Sequence, residues 1–299
     1  MNAIAEPPPK KKNPMITENK IAPPFGYPRD FLGHRFVYVT ISPRARGLSI
    51  GVNLTPGKEC NFDCAYCEVD RGVTPDGTAL DLPVLAAELE DTSALVRSGR
   101  LRGQPPYSRM PQELLSLRHV AISGDGEPTL CPQFREAVET VVHVRATAGG
   151  RFFKIVLITN GSNLDAPQVQ EGLRLLTRDD EIWAKLDVGT AADLQNINRS
   201  QVPLEKILAN ILLVARQRPV VIQSLFPSIN GSAPSEDSIQ QYATRLLELR
   251  QAGAQIPLVQ IYSGSRPTPN SAASHLPLRT LSRIALSVRS IAGLNTEVF

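Results

Sequence analysis

Short apolar runs recur along this 299-residue chain at the spacing of a strand–helix unit, and that recurrence limits the fold more than any other feature. The strand-like runs are His119–Ser123, Phe153–Thr159, Glu181–Val188, Pro219–Leu225 and Ile256–Tyr262, whose starts lie 34, 28, 38 and 37 residues apart. That spacing is the length of a βα unit. Amphipathic stretches lie around them at Leu82–Val96, Gln133–Val144, Pro167–Leu176, Leu204–Arg216, Ser235–Gln251 and Leu278–Ile291. An earlier run, Leu48–Leu54, turns Leu48, Ile50, Val52 and Leu54 to one face and completes six units in a row. Alternation of this kind predicts a parallel sheet covered by helices and joined by right-handed crossovers. Six units are two short of a closed barrel. The expected fold is therefore α/β, a partial (βα)6 TIM-type barrel, with a flat doubly wound sheet as the alternative. Arg35–Ile41, alternating Phe36, Tyr38 and Thr40, is expected to form an N-terminal hairpin with Leu48–Leu54.

The flanks are read from composition. Residues 1–28 are expected to be a disordered Pro/Lys-rich tail, because Ala5-Glu-Pro-Pro-Pro-Lys-Lys-Lys-Asn-Pro14 has too little apolar surface to offset its ordering entropy. Lys10, Lys11 and Lys12 either touch an acidic partner or are simply solvated. Residues 29–299 are expected to form one core domain, with barrel units over about 48–262 and a last helix at about 278–291. No apolar run is long enough to span a membrane, and no apolar stretch follows the basic N-terminus as in a secretory signal. A formal net charge of +3 supplies no global field for gripping a polyanion. Membrane protein, secreted disulfide scaffold and histone-like binder are excluded, and a cytoplasmic location is expected.

Parallel α/β sheets place their sites at the C-terminal strand ends, and those ends are unusual here. The first strand leaves through Asn53-Leu-Thr-Pro-Gly57, the second through Ser123-Gly-Asp-Gly-Glu-Pro-Thr129, and the third through Thr159-Asn-Gly161. Trp183, Lys185 and Asp187 share one face of the fourth. Gln223 shares a face with Val221 and Leu225 on the fifth, and Gln260 and Tyr262 share one with Leu258 on the sixth.

Cys60-Asn-Phe-Asp-Cys64-Ala-Tyr-Cys67 has the spacing C-x3-C-x2-C. In a chain without an export signal, clustered cysteines argue for metal rather than disulfides. Three thiolates from one loop can hold three irons of a cubane cluster that takes four ligands in full. Cys131 follows Pro128-Thr-Leu130 near a helix start and reads as a buried free thiol, which leaves one iron open. A structural zinc site would need a fourth ligand and usually a second C-x-x-C pair; the chain has none, and His34, His119, His143 and His275 show no ligand spacing.

With an aromatic residue before its last cysteine, on the loop after a first barrel strand, this motif resembles the radical S-adenosylmethionine superfamily. Gly124-Asp-Gly-Glu-Pro128 resembles that superfamily's GGEP signature, with Asp125 in place of one glycine. Within it, Gly51-Val-Asn-Leu-Thr-Pro56, the cysteine loop through Arg71, and Trp183-Ala-Lys-Leu-Asp187 are most similar to the iron-sulfur oxidoreductase group that includes wyosine-type tRNA synthases. The resemblance implies a 4Fe-4S cluster on Cys60, Cys64 and Cys67, with S-adenosyl-L-methionine chelated to the open iron by its amino and carboxylate groups. One electron from the reduced cluster would cleave the sulfonium to methionine and a 5′-deoxyadenosyl radical, which takes a hydrogen atom from substrate. It further implies that Tyr66 packs near the adenine, and that Glu127 and the backbone of Gly124, Asp125 and Gly126 meet the methionine amino group. Thr159 and Asn160 would meet the ribose or carboxylate, Asp187 the ribose, and Tyr262 the adenine. An electron donor such as flavodoxin or ferredoxin is implied as partner.

No cysteine precedes Cys60, so a second cluster of the archaeal wyosine-synthase kind is not expected. Lys185 either forms a Schiff base with a carbonyl substrate, for which a lowered pKa would suit, or pairs with Asp187. The substrate stays open between RNA, a protein as in glycyl-radical activating enzymes, and a small molecule. RNA would need a basic rim, for which Arg29, Arg35, Arg44, Arg46, Lys58 and Arg71 are candidates. A non-enzymatic iron-sulfur electron carrier is the alternative from another class; it predicts four cluster ligands, and the Gly-Glu-Pro turn counts against it.

Overall fold

The structure, a computed structural model, describes residues 31–72, 79–105, 107–147, 152–264, 268–270 and 272–299. The predicted tail over 1–28, with Lys10 to Lys12, and Arg29 lie outside the described residues.

Among the described residues there are ten strands: β1 Val37–Ser42, β2 Gly47–Val52, β3 Leu117–Ile122, β4 Lys154–Thr159, β5 Glu181–Lys185, β6 Val220–Leu225, β7 Ser228–Ile229, β8 Val259–Tyr262, β9 Ala273–Ser274 and β10 Thr296–Val298. The helices are α1 Leu82–Arg97, α2 Phe134–Thr147, α3 Pro167–Arg174, α4 Ala191–Asp193, α5 Leu204–Ala215, α6 Glu236–Gln251 and α7 Leu278–Ala292. One eight-stranded sheet runs in the order β1-β2-β3-β4-β5-β6-β8-β10, and β7 pairs with β9 apart from it. β1 is antiparallel to β2, and every other pair in the large sheet is parallel.

This order decides between the two expected architectures. A doubly wound sheet reverses its strand order part-way, whereas here each parallel strand lies beside the next in sequence, as in a barrel wall. β1 and β10 are free edges, so the barrel is partial. The sixth crossover, through α7, delivers β10 beside β8 in register Thr296↔Val259. This last strand was not expected; three residues are too few to show a period.

The sheet has two buried faces. Ile50 and Val52 of β2, Ile122 of β3, Ile155 and Leu157 of β4, Ile182 of β5 and Ile222 of β6 face the helices in one large core. Leu85 and Leu89 of α1, Val138 and Val141 of α2, and Ile284 and Val288 of α7 meet them there. On the opposite face Val156, Trp183 and Val221, with Ile158 and Leu258 against them, form a smaller cluster inside the curve. Helix ends are set by local chemistry: Asp81 accepts from the Val84 amide to start α1, and Ser235 accepts from the Ser238 amide to start α6. Gly293, at φ 63°, stops α7 in the left-handed region that favours glycine.

Candidate functional site

The cysteine loop leaves the C-terminal end of β2, and two neighbours hold it. The Asp63 and Ala65 amides donate to the Asn198 and Ile197 carbonyls, and the Gln201 amide donates to the Asn61 carbonyl. On the other side the Glu127 amide donates to the Glu59 carbonyl at 2.8 Å. That approach explains the glycines of the Gly124-Asp-Gly126 turn. A Cβ on Gly126 would lie 2.0 Å from the Glu59 carbonyl oxygen, and one on Gly124 would lie 2.2 Å from Asn53 Oδ1. Asn53 Nδ2 in turn donates to Asp125 Oδ2 at 2.7 Å, so the exits of β2 and β3 are tied together. Lys58 and Arg199 bracket the site in left-handed backbone, at φ 66° and 45°. A side chain held there costs of order 1–3 kcal/mol and persists only where the surroundings impose it.

All four cysteines are free thiols: Cys60, Cys64 and Cys67 are partly exposed, and Cys131 is buried. Each sulfur in the loop meets an N–H from a different direction. Asn198 Nδ2 lies 3.4 Å from Cys64 Sγ, Arg71 Nη2 lies 3.7 Å from Cys67 Sγ, and Asn160 Nδ2 lies 4.0 Å from Cys60 Sγ. Burial pushes the Cys64 thiol up to about 12 and also raises Cys60. Among the described residues no three His, Cys, Asp or Glu side chains form a group that could hold a metal ion. Three thiols on one loop, each met by an N–H donor and with the Arg71 guanidinium among them, do have the donor chemistry of ligands to the corners of a larger iron-sulfur cluster.

The residues expected to contact the ligand have partners within the fold. Glu127 is buried, and both its oxygens are taken: Oε1 accepts from the Thr129 amide, Thr129 Oγ1 and Thr159 Oγ1, and Oε2 accepts from the Asn160 amide. Its carboxylate therefore braces the turn. Thr159 shares the helix-facing side of β4 with Ile155 and Leu157, so its hydroxyl serves Glu127 and not a ribose. The Asn160 amide group is likewise engaged, with Nδ2 donating to Asn61 Oδ1 and Oδ1 accepting from the Ser162 amide.

Asp187 is also enclosed. Its Oδ2 accepts from the Tyr66 hydroxyl and from Asn198 Nδ2, its Oδ1 accepts from the Leu225 amide, and Lys185 Nζ stands 3.5 Å away. With those partners it fastens the cysteine loop to β5 and β6. Burial drives the Tyr66 hydroxyl well above its usual pKa, and the Asp187 charge adds to the effect, so it stays a donor. Tyr66 and Tyr262 are brought together in one small cluster with Leu225.

Lys185 lies 5.1 Å from the Tyr66 ring centroid and 5.8 Å from that of Tyr262. Burial alone would lower its pKa, but Asp187, with smaller contributions from Tyr262 and Cys64, outweighs it and the net shift is upward. The lowered pKa that a Schiff-base role would want is absent, and the pairing with Asp187 is what forms. The described residues of the expected basic rim have partners within the fold. Arg71 donates to the Lys58 carbonyl, Lys58 donates to the Asp70 carbonyl, Arg46 pairs with Glu297, Arg35 lies over the Phe36 ring, and Arg44 turns inward onto Tyr262.

Asn198 was not foreseen. It donates to Cys64, Tyr66 and Asp187 from a single π turn, Leu194–Asn198, that lies far along the chain from the cysteines and carries no motif.

No protein-family model matches the chain. Curated relatives include a UPF0026 protein of Helicobacter pylori, 26% identical over 181 residues, which are 59% of this chain and 49% of that one. The chain thus spans about half the length of the UPF0026 relatives it first matches. The S-adenosyl-L-methionine-dependent tRNA 4-demethylwyosine synthase of Pyrococcus abyssi is 27% identical over 253 residues, 80% of this chain and 68% of that one. Among solved structures, a radical SAM methyltransferase from Sphaerobacter thermophilus aligns with TM-score 0.60 at 17% identity, covering 88% of this chain and 68% of that one. TYW1 with a lysine-pyruvate adduct bound aligns with TM-score 0.55 at 15% identity, covering 87% and 85%. In fold, and in the curated relative that aligns with most of its length, this chain resembles the radical S-adenosylmethionine superfamily, as its cysteine loop implied.

Proposed function

We propose that the chain is a radical S-adenosylmethionine enzyme that takes a hydrogen atom from its substrate. The observation that carries this reading is the loop Cys60–Cys67, whose three thiols are each met by an N–H donor at the C-terminal end of a parallel barrel. When bound, the cluster and S-adenosylmethionine supply an electron and a 5′-deoxyadenosyl radical. The protein's part is to bind, orient and exclude water. Cys60, Cys64 and Cys67 hold the metal, and Asn198 and Arg71 stabilise the thiolate form of two of them. The backbone of Gly124–Gly126, held open by the close approach of Glu59, offers carbonyls toward the methionine amino group. Glu127 fixes that turn against Thr159 and Asn160 as a positioning residue. Tyr262, at the mouth, offers a ring face to the adenine. A flavodoxin- or ferredoxin-type protein is the proposed electron donor.

The relative from Pyrococcus abyssi makes tRNA an obvious substrate to consider. The inward turn of Arg44 and the internal partners of Arg46, Lys58 and Arg71 favour a smaller substrate held in the lumen.

The test is anaerobic reconstitution followed by dithionite and S-adenosylmethionine. The protein should hold about four irons per chain and form 5′-deoxyadenosine. Cys64→Ala should abolish both, and Cys131→Ala should retain both. Iron loss in Cys131→Ala as complete as in Cys64→Ala would favour the electron carrier instead.

A further inference from the structure

Among the described residues, one cation that faces the lumen has no carboxylate partner. Lys154 pairs with Glu181, which also accepts from Trp183 Nε1 at 2.7 Å. Lys185 pairs with Asp187. At the open edge Glu297 of β10 pairs with Arg46. Arg44, in the turn between β1 and β2, is left over. Its guanidinium lies 4.2 Å from the Tyr262 ring centroid, and its Nε is enclosed with no hydrogen bond. It makes no ion pair or hydrogen bond with any described residue, and neither Lys185 nor His119 offers it a negative charge.

A buried N–H edge without an acceptor is costly, and so is a cation drawn toward another cation. Stacking on Tyr262 offsets part of that cost through the ring face. It leaves the enclosed Nε without an acceptor, and Nε with the adjoining Nη forms a planar fork suited to two oxygens of one anionic group. Lys185 approaches the same ring from the cysteine side. Gln223 and Gln260 stand behind, bonded to each other at 3.1 Å, as neutral polar lining.

Deepening the radical-enzyme reading above and resting on it, we propose that the substrate carries a small oxyanion, a carboxylate or phosphate group, which the Arg44 fork binds in the lumen beside Tyr262.

Calorimetry of the reconstituted holoprotein, at constant ionic strength set with chloride, tests the site with sodium acetate and with inorganic phosphate as probes. At least one probe should bind saturably; acetate alone assigns a carboxylate, phosphate alone a phosphate, and both assign the chemistry they share. Trp183, the only tryptophan in the chain, lies in the lumen and should report the same titration by fluorescence. Arg44→Gln should weaken the bound probe about tenfold to a hundredfold, the loss expected for a charge-assisted pair. Arg44→Lys, which keeps the charge and loses the fork, should fall between the two. S-adenosylmethionine should bind together with the probe.

Binding of neither probe, unchanged affinity in Arg44→Gln, or competition between probe and S-adenosylmethionine would each overturn the proposal. Competition would instead give the guanidinium to the methionine carboxylate. The radical reading fails separately: a chain that binds the probe and forms no 5′-deoxyadenosine removes that reading and leaves the oxyanion site standing.

Discussion

Two buried carboxylates, one at each end of the barrel, accept comparable sets of hydrogen bonds and shift their pKa in opposite directions. Asp180 sits at the entry to β5, where it accepts from the Ile155 and Thr177 amides, Thr177 Oγ1 and Arg145 Nη1, the last at 2.6 Å. Glu127 sits at the exit of β3 and accepts from two amides and two hydroxyls. Burial pushes both upward. At Asp180 the Arg145 guanidinium and the amides more than offset it, and the net shift is downward. At Glu127 no cation is present and burial prevails. The two differ in having or lacking a guanidinium among the donors and in how strongly burial acts on them. The comparison also separates the two barrel ends, since the entry side carries a closed ion pair that only stabilises. The exit side carries a turn that must stay shaped for a ligand.

The sharpest way to break this contrast is to remove Asp180. Asp180→Ala would strand Arg145, whose side chain is only 6% exposed, and should destabilise the fold by about 3–5 kcal/mol. Urea unfolding reads this directly, and a loss below about 1 kcal/mol would show that Arg145 finds other acceptors. Replacing both partners with apolar residues should recover much of the loss.

Glu127→Ala should cost less, about 1–3 kcal/mol, because it leaves neutral donors rather than a charge unpaired. It should also weaken S-adenosylmethionine binding through the loosened turn while the iron stays bound. Iron loss together with ligand loss would mean that the turn holds the cysteine loop itself.

The smallest effect is in pH dependence, and the two sites have opposite signs. Asp180, with its pKa depressed in the fold, contributes stability above its usual carboxylate range that is lost as pH falls through the folded value. Glu127, with its pKa raised, contributes stability that is full below its usual value of 4.5 and is lost as pH rises through the folded value. Unfolding midpoints of wild type and Glu127→Gln should therefore diverge above that usual value, with wild type losing ground. Parallel curves would show that the donors alone keep Glu127 ionised.

The barrel was legible because its signal is additive. Each apolar run is weak by itself, but their sequential spacing fixes the strand order, and β10 escaped only because three residues show no period. The cysteine loop was legible because its chemistry needs three thiols at set spacing on one segment. Its supports were not, since a hydrogen-bond acceptor can be supplied from anywhere in the fold. Asn198 reaches Cys64 across 134 positions of sequence, and no local pattern records that. Thr159 was misread although its place was available: strand alternation puts it with Ile155 and Leu157, on the helix side. For Asp187 and Glu127 it was the protein partners that were not legible. A carboxylate at a strand exit looks available in sequence, and only the assembled donors around it reveal that it is taken.

β1 adds no residue to the parallel count, yet it changes the mechanics of the site. Its six-residue antiparallel ladder covers the outer side of β2. The strand that launches the cysteine loop is thereby bonded on both sides, to β1 and to β3. Fraying begins at sheet margins, where local opening takes the least free energy. In this sheet the margins are Val37–Ser42 and Thr296–Val298. Amide exchange should accordingly run faster in those two segments than in β2, so the thiols are anchored to an interior strand while the rims absorb the thermal motion.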